Sequence, residues 1–372
     1  MDKRPKEIAL TGGPCSGKTS FVEFLKENLP KHGFRPFFTS EAATLIIGGG
    51  VSDIGDIESK DFTKYIEIEK IMLSLHLDLR KNFQDLASLF PGEKTILVHD
   101  RGGIDCKAYM PDEYFEAILA EKRLTLHDVR DSYDAAIHLV TAANGAEAFY
   151  NTKTNRARRE TKPEDARLVD EKTLRAWIGH PHLKIIDNST GFEEKLERAF
   201  KVFLKAAGFP VSLEIERKFL VGRMPDFASL DFKSAQKTFI EQMYIEFSSG
   251  ERTRIRRQTQ GISSTYYKTR KVDVRPGVRE ETEDFIEPLD FLGMISYKIP
   301  GTETIFKDRW YFVYKNQYFE LDIFMRPKGL YLLEIELIDE NDKVELPPFL
   351  DIIREVTNEP EFKNSEIAKR IA

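Results

Sequence analysis

The sequence predicts an α/β P-loop domain with a mostly parallel sheet, followed by an α+β domain built on an eight-stranded antiparallel barrel. Three observations carry that reading. With 372 residues and 41% hydrophobic content, the chain is longer than one ordinary domain and has apolar material for two cores. Up to about residue 206 short apolar runs alternate with longer amphipathic stretches, the pattern of βα layering. After Gly208 and Pro210 the period changes to two, the signature of antiparallel strands. The boundaries expected are therefore 1–208 and 211–372.

In the first part, Ile8–Thr11, Pro36–Thr39, Thr95–His99, Ala135–Val140 and Leu183–Ile186 are short enough to be strands buried on both faces. Helical patterns lie between them at 18–28, 62–88, 113–121, 171–177 and 192–207. In the second part the strands are LEIERKFLV, EQMYIEF, RTRIRRQT, STYYKTRKV, REETEDFI, FKDRWYFVY, YFELDIF and YLLEIELI, with helical stretches near 288–298 and 347–371. Eight such strands point to an antiparallel barrel or sandwich.

Lys and Arg number 56 against 62 Asp and Glu, a net charge of −6. That near-balance excludes a globally basic nucleic-acid binder, so no nucleic-acid partner is expected. Cys15 and Cys106 are too few for a disulfide framework or a Cys-rich zinc site, and the chain reads as cytoplasmic. No apolar leader and no run of about 18 uncharged apolar residues is present, so any membrane association is expected to be peripheral.

Gly12-Gly13-Pro14-Cys15-Ser16-Gly17-Lys18-Thr19 fits G-x-x-x-x-G-K-[ST], between an expected strand and an expected helix. Its backbone amides would cradle a phosphate, Lys18 would reach the outer phosphates and Thr19 would ligate Mg²⁺. A second metal-side carboxylate should end another buried strand, and Ile96-Leu97-Val98-His99-Asp100 supplies Asp100. The alternative for Asp100 is a solvated side chain opening the turn at Gly102-Gly103. Glu41 reads equally as a base facing an acceptor or as a helix N-terminal charge. Arg156, Arg158 and Arg159 are either a lid over the phosphates or a solvated face. His180 and His182 lack companions at ligand spacing and read as ordinary loop histidines.

The P-loop, the Asp100-Arg101 pair and the Arg-rich segment resemble the P-loop kinase-like ATPases related to nicotinamide riboside kinase. The resemblance implies that ATP or GTP binds this half.

The later strands carry charge where a buried face would ordinarily be apolar. Glu214, Glu216 and Lys218 share one face by the two-residue period, and Leu213, Ile215 and Phe219 the other. The inversion recurs at Arg254 and Arg256, Lys268 and Arg270, Glu281 and Glu283, Lys307 and Arg309, Glu320 and Asp322, and Glu334 and Glu336. If the apolar faces pack outward, these charges line the interior of a barrel, where they must pair or meet a ligand and metal. Such a mixture suits a triphosphate held by cations beside Mg²⁺ or Mn²⁺ held by carboxylates. Arg270 and Glu320 are the least certain to point inward. The bland alternative is a polar outer face, which would mix Lys, Thr, Gln and Ser freely.

Glu214-Ile215-Glu216-Arg217-Lys218 is the E-x-E-x-K signature, and the strands after it resemble the CYTH family of triphosphate tunnel metalloenzymes. The resemblance implies that Glu214, Glu216, Asp322, Glu334 and Glu336 serve metal binding and water activation. It also implies that Lys218, Arg254, Arg256, Lys268, Lys307 and Arg309 hold the phosphates. The catalytic set expected is Glu216, Glu334 and Lys218, with Asp100 in the P-loop domain. The order of the two domains resembles the TRPL translocation defect protein family.

The function expected is metal-dependent hydrolysis of an inorganic, thiamine or nucleoside triphosphate in the second domain, beside an ATP- or GTP-binding first domain. The resemblance in domain order to the TRPL translocation defect protein family implies one alternative, a GTP-dependent regulator that binds an anionic lipid head group such as phosphatidic acid. Another is a small-molecule or nucleoside kinase regulated by the barrel. An adenylyl cyclase reaction also remains open at this point.

Overall fold

The computed structural model describes residues 4–150, 162–209, 213–228, 232, 234–247, 252–275 and 278–371. The chain divides into two compact units, Met1–Ala207 and Gly208–Ala372.

The first unit holds a five-stranded sheet in the order β2-β3-β1-β4-β5, with every pairing parallel. Its strands are β1 (Lys6–Thr11), β2 (Phe34–Thr39), β3 (Lys94–Asp100), β4 (Ala135–Leu139) and β5 (Leu183–Ile186). The central three are covered on both faces, so Ile8–Leu10, Ile96–Val98 and all of β4 are buried, which is why they read as unbroken apolar runs. From β1 the chain builds the sheet to one side and then crosses to β4 on the other. That reversal opens a crevice at the carboxyl ends of the strands, and the P-loop lies there.

The helices are α1 (Lys18–Asn28), α2 (Ala42–Gly48), α3 (Ile54–Lys60), α4 (Phe62–Ser88), α5 (Asp112–Lys122), α6 (Pro163–Trp177) and α7 (Phe192–Ala206). Two of them, α2 and α3, have only seven residues, too few to display a helical period. Helix α6 starts eight residues before the expected stretch, on a proline at the first helical position with Glu164 and Asp165 in its first turn. Its buried face carries Ala166, Asp170, Thr173 and Trp177, so polar residues interrupt the apolar stripe.

The second unit is a sheet in the order β10-β9-β8-β7-β11-β12-β13-β6-β14, closed by a further pairing of β10 with β6. Its strands are β6 (Leu213–Val221), β7 (Gln236–Glu246), β8 (Arg252–Gln260), β9 (Ser263–Arg275), β10 (Val278–Phe285), β11 (Ile305–Tyr314), β12 (Gln317–Phe324), β13 (Tyr331–Leu337) and β14 (Ile352–Glu355). Strands β6 to β13 make the expected eight-stranded antiparallel barrel. The first part of β6 pairs with β10 and its last part with β14, so one edge serves two partners.

Segment 347–371 is not the helix expected. It gives β14, a short helical turn at Pro360–Phe362, and helix α9 only at Asn364–Arg370. Pro347, Pro348 and Pro360 interrupt any longer helix, and the open edge of β6 takes Ile352–Glu355 as a strand. Helix α8 (Pro288–Met294) follows β10.

Alternation sorts the two faces. Phe219, Val221, Phe312, Phe319, Leu321, Leu333 and Ile335 form one apolar core outside the barrel wall with Phe232 and Leu350. Residues of the other parity, described below, face one another across the strands.

Candidate functional sites

In the first unit, the loop between β1 and α1 is shaped by its glycines. Gly12 has φ +138°, and a Cβ there would stand 2.2 Å from the Leu139 carbonyl oxygen. Any larger residue would push the loop off β4. Gly13 donates its amide to Asp170 Oδ1 at 2.6 Å and leaves no room for a side chain against that residue. Lys195 of α7 is buried behind the loop, donating to the carbonyls of Ser16 (3.0 Å) and Val140 (2.7 Å) and to Asn188 Oδ1 (2.7 Å). Sequence reasoning missed Asp170 and Lys195, although both are charged residues on the buried faces of amphipathic helices, and that placement was the available signal.

The loop opens onto a cavity of about 1000 Å³ lined by Gly13–Ser20, Glu41, Asp100, Arg101 and Asp105, among others. Lys18 turns its Nζ back onto the Gly12 carbonyl at 2.8 Å. Burial pulls its ammonium below the usual lysine range. Asp100 ends β3 directly opposite Leu10 of β1, so the strand register brings it beside the P-loop. It does not make the solvated turn of the alternative reading. Among the described residues its buried Oδ1 has no hydrogen-bond partner, nor has the Ser16 hydroxyl, and burial raises its carboxyl above the usual aspartate range.

An orphaned carboxylate oxygen facing the P-loop fits a divalent cation, and Asp100 with Thr19 would hold it. A raised carboxyl pKa means that ionised Asp100 costs stability, increasingly as pH climbs past the ordinary aspartate value. Asp100→Asn is therefore expected to raise the melting temperature of the metal-free protein by about 2–6 °C at neutral pH. It should also abolish any added stabilisation by magnesium and nucleotide. Scanning calorimetry with and without magnesium and ATP checks both expectations.

Glu41 occupies the N-terminal boundary position of α2, makes no capping hydrogen bond with its side chain, and pairs with Arg101 Nε at 2.5 Å. Burial works to raise its carboxyl, yet the charges of Arg101 and Lys18 prevail and hold it at about 2. This pairing makes it an anchor for the guanidinium and fits the helix-terminal reading better than that of a base. Asp105 accepts from Thr11 Oγ1 (2.5 Å), the Gly102 amide (2.8 Å) and Trp177 Nε1 (3.2 Å), tying β1, β3 and α6 together. His180 is not an ordinary loop histidine: it is fully buried, with Nε2 3.1 Å from the Tyr133 carbonyl oxygen. Arg156, Arg158 and Arg159 lie outside the described residues.

In the second unit the strand register gathers the predicted charges. Lys218 on β6 stands opposite Glu334 on β13, and its Nζ reaches Glu334 at 2.6 Å and Glu216 at 3.2 Å. Arg309 on β11 stands opposite Asp322 on β12, with Nε and Nη2 at 2.6 and 2.7 Å from its two oxygens. The same guanidinium reaches Glu334 at 2.9 Å and also Glu320. Lys307 Nζ bonds Asp322 at 2.5 Å and approaches Asn364 Oδ1 of α9 at 3.3 Å. Farther round, Arg254 and Arg256 converge on Glu283 at 3.3 and 3.0 Å. Glu320 thus does point inward.

The electrostatics follow from this packing. Burial opposes the charge on Lys218, but Glu216 and Glu334 outweigh it and raise the ammonium above its usual range. Burial likewise opposes the charge on Glu334, yet Lys218 and Arg309 drive its carboxyl far below the usual range. For Lys307 burial wins and brings the pKa down to about 8. Glu320 is raised, chiefly by burial.

One expectation fails. Lys268 lies on the opposite face of β9 from Arg254 and Arg256, with Nζ 4.7 Å from the centre of the Phe247 ring. The inward residues of β9 are Tyr267, beneath Arg256, and Thr269, which bonds Arg254 and Glu283. The STYYKTRKV segment has a basic residue on each parity, and the run alone did not show which faces in. The position continuing the alternation of 267 and 269 is 271, paired with 281 on β10. Arg270 shares the outward parity of Lys268. The side chain of Glu214 lies outside the described residues.

The donor chemistry at one end of the barrel is that of a hard cation. Register opposes Glu216 to Glu336 and Glu320 to Glu334, and like charges directly opposite destabilise a sheet unless a cation offsets them. All these donors are oxygens. Among the described residues no three His, Cys, Asp or Glu are already arranged around one metal position; Lys218 and Arg309 instead pair with Glu216, Glu320, Asp322 and Glu334.

The fold and site together define an α/β P-loop domain joined in sequence to a closed, charge-lined antiparallel barrel. Residues 7–195 match the AAA domain family, just over half of the chain, and the protein belongs to it; residues 212–370 match the CYTH domain. Similar solved structures include the inorganic triphosphatase NE1496, 27% identical, covering 42% of this chain and 94% of that one, with a TM-score of 0.29. They also include a NadR protein in complex with NAD and AMP-PNP (17%, 56% and 51%, 0.39). A third is the PH1819 protein from Pyrococcus horikoshii OT3 (17%, 34% and 80%, 0.26). No curated protein matches. No described helix is long and apolar enough to cross a membrane.

Proposed function

We propose that the barrel is a metal-dependent triphosphate phosphohydrolase and that the P-loop domain binds ATP or GTP. The observation that carries the reading is the set of buried cations inside a closed barrel that matches the CYTH domain: Lys218, Lys307 and Arg309 interlocked with Glu216, Asp322, Glu320 and Glu334, and Arg256 paired with Glu283. Burying so many charges is costly, and a purely structural core would be as stable or more so with apolar residues in their place.

In this reading Arg254, Arg256, Lys307 and Arg309 take the phosphate oxygens, the arginines through their two-pronged geometry. Lys218 bridges Glu216 and Glu334 and keeps Glu334 ionised. Glu216, Glu334 and Glu336 would hold Mg²⁺ or Mn²⁺, which when bound would offset charge on the terminal phosphate. A carboxylate of this group orients the attacking water and takes its proton. The water oxygen bonds to the terminal phosphorus as the bridging P–O bond breaks, releasing inorganic phosphate and the shortened chain.

The test is phosphate release from tripolyphosphate by the full chain, with magnesium or manganese and then with excess chelator. Release that stops on chelation and returns on adding metal is expected. The absence of release with either metal would reject the reading.

A further inference from the structure

Among the described residues, three polar groups on the inner face of the barrel have no hydrogen-bond partner. The Tyr311 hydroxyl, the Thr238 hydroxyl and the Gln242 amide nitrogen are all buried and make no hydrogen bond. Buried polar groups are nearly always bonded, and each one left alone carries a desolvation penalty. Three on the adjacent strands β7 and β11 call for an explanation.

Their placement supplies one. Thr238 lies directly opposite Arg309 across β7 and β11, and Gln242 directly opposite Arg256 across β7 and β8. Tyr311 lies opposite Glu320, and its ring is stacked on Tyr318 with centres 5.6 Å apart and planes 11° from parallel. The stacking fixes the ring, so the hydroxyl does not turn away to find a partner. Each orphan thus neighbours, on the same face, one of the charged residues assigned above to the phosphates or the carboxylate network. A set of neutral donors among paired charges suits an oxyanion chain, because it adds contacts to oxygen without burying another unpaired charge.

We propose that Tyr311, Thr238 and Gln242 form a neutral hydrogen-bonding subsite for the oxygens of a polyphosphate chain, with Tyr311 touching the substrate directly. The assignment rests on the triphosphatase reading of the barrel. Burial raises the Tyr311 phenol above its usual range, so it stays protonated as a donor at every working pH. Among the described residues, none of these three polar atoms makes a hydrogen bond in the free protein. Removing one hydroxyl therefore relieves the free state and penalises only the complex.

The experiment uses full-length wild type, Tyr311→Phe and Thr238→Val, with tripolyphosphate as the probe in the presence of magnesium. Calorimetric titration gives affinity, initial rates give kcat and KM, and thermal melts without ligand report the free state. Each variant is expected to melt at or above the wild-type temperature while binding tripolyphosphate about 10- to 100-fold more weakly. Variants that bind as tightly as wild type would overturn the subsite and leave the triphosphatase reading intact. A variant that melts lower in the free state would show that its hydroxyl serves the fold, and would also overturn the proposal. Wild type that fails to bind tripolyphosphate at all would instead reject the triphosphatase reading and the subsite with it.

Discussion

Arg309→Ala is expected to produce the largest loss of any single substitution, in both stability and activity. The guanidinium is buried and serves Asp322, Glu320 and Glu334 at once. Removing it leaves carboxylates in the barrel without their main cation. Breaking a buried pair in this way costs about 3–5 kcal/mol, which for a unit of this size lowers the melting temperature by about 6–20 °C. Losing the same charge should weaken tripolyphosphate binding by at least about 100-fold. Arg309→Lys separates the two effects: it keeps the charge but cannot span the carboxylates with a planar fork, so it should restore much of the stability and little of the binding. Thermal melts and calorimetric titration of both variants measure this. An Arg309→Ala protein that melts and binds like wild type would contradict the network.

Glu334→Gln is expected to separate binding from turnover. Glutamine keeps the size of the side chain, Lys218 retains Glu216, and Arg309 retains Asp322 and Glu320, so the barrel should fold. Affinity for tripolyphosphate should stay within a few-fold of wild type, because the substitution removes a negative charge from an anion site. The rate constant for hydrolysis should fall by about 100-fold or more, as when a group that orients the nucleophile and receives its proton is removed. Rapid mixing with a single turnover of substrate gives the chemical step directly. An undiminished rate would remove Glu334 from the mechanism.

Much of this was legible in the residues, for physical reasons that differ between the halves. The P-loop could be read because its glycines are backbone requirements: the position of Gly12 against Leu139 admits no side chain. The central strands β1, β3 and β4 could be read because two covered faces demand continuous apolar residues. The barrel could be read because charge at every second position, with apolar residues between, admits few explanations.

The failures have equally specific causes. STYYKTRKV offers basic residues on both parities, so Lys268 reads as inward from the sequence, and only pairing with β8 and β10 fixes which parity faces Arg254. Asp170 and Lys195 could be read only as charges on the buried faces of their helices, and Asp105 not even so, because their partners are the P-loop backbone and the strands beside it, which sequence spacing does not identify. Short helices α2 and α3 lack the length to show a period, and β14 exists only because β6 has an edge to offer it. The orphaned hydroxyls of Tyr311 and Thr238 could not be foreseen, since a missing partner is a property of the folded interior.

The most direct test of the central claim is a phosphorus NMR time course of tripolyphosphate with magnesium, run on full-length Lys18→Ala beside full-length Glu334→Gln. The first variant disables the P-loop and spares the barrel; the second does the reverse. The barrel reading predicts that Lys18→Ala converts tripolyphosphate to pyrophosphate and phosphate at the wild-type rate, while the Glu334→Gln spectrum stays nearly unchanged over the same interval. Hydrolysis lost in Lys18→Ala and retained in Glu334→Gln would place the chemistry at the P-loop and contradict the account.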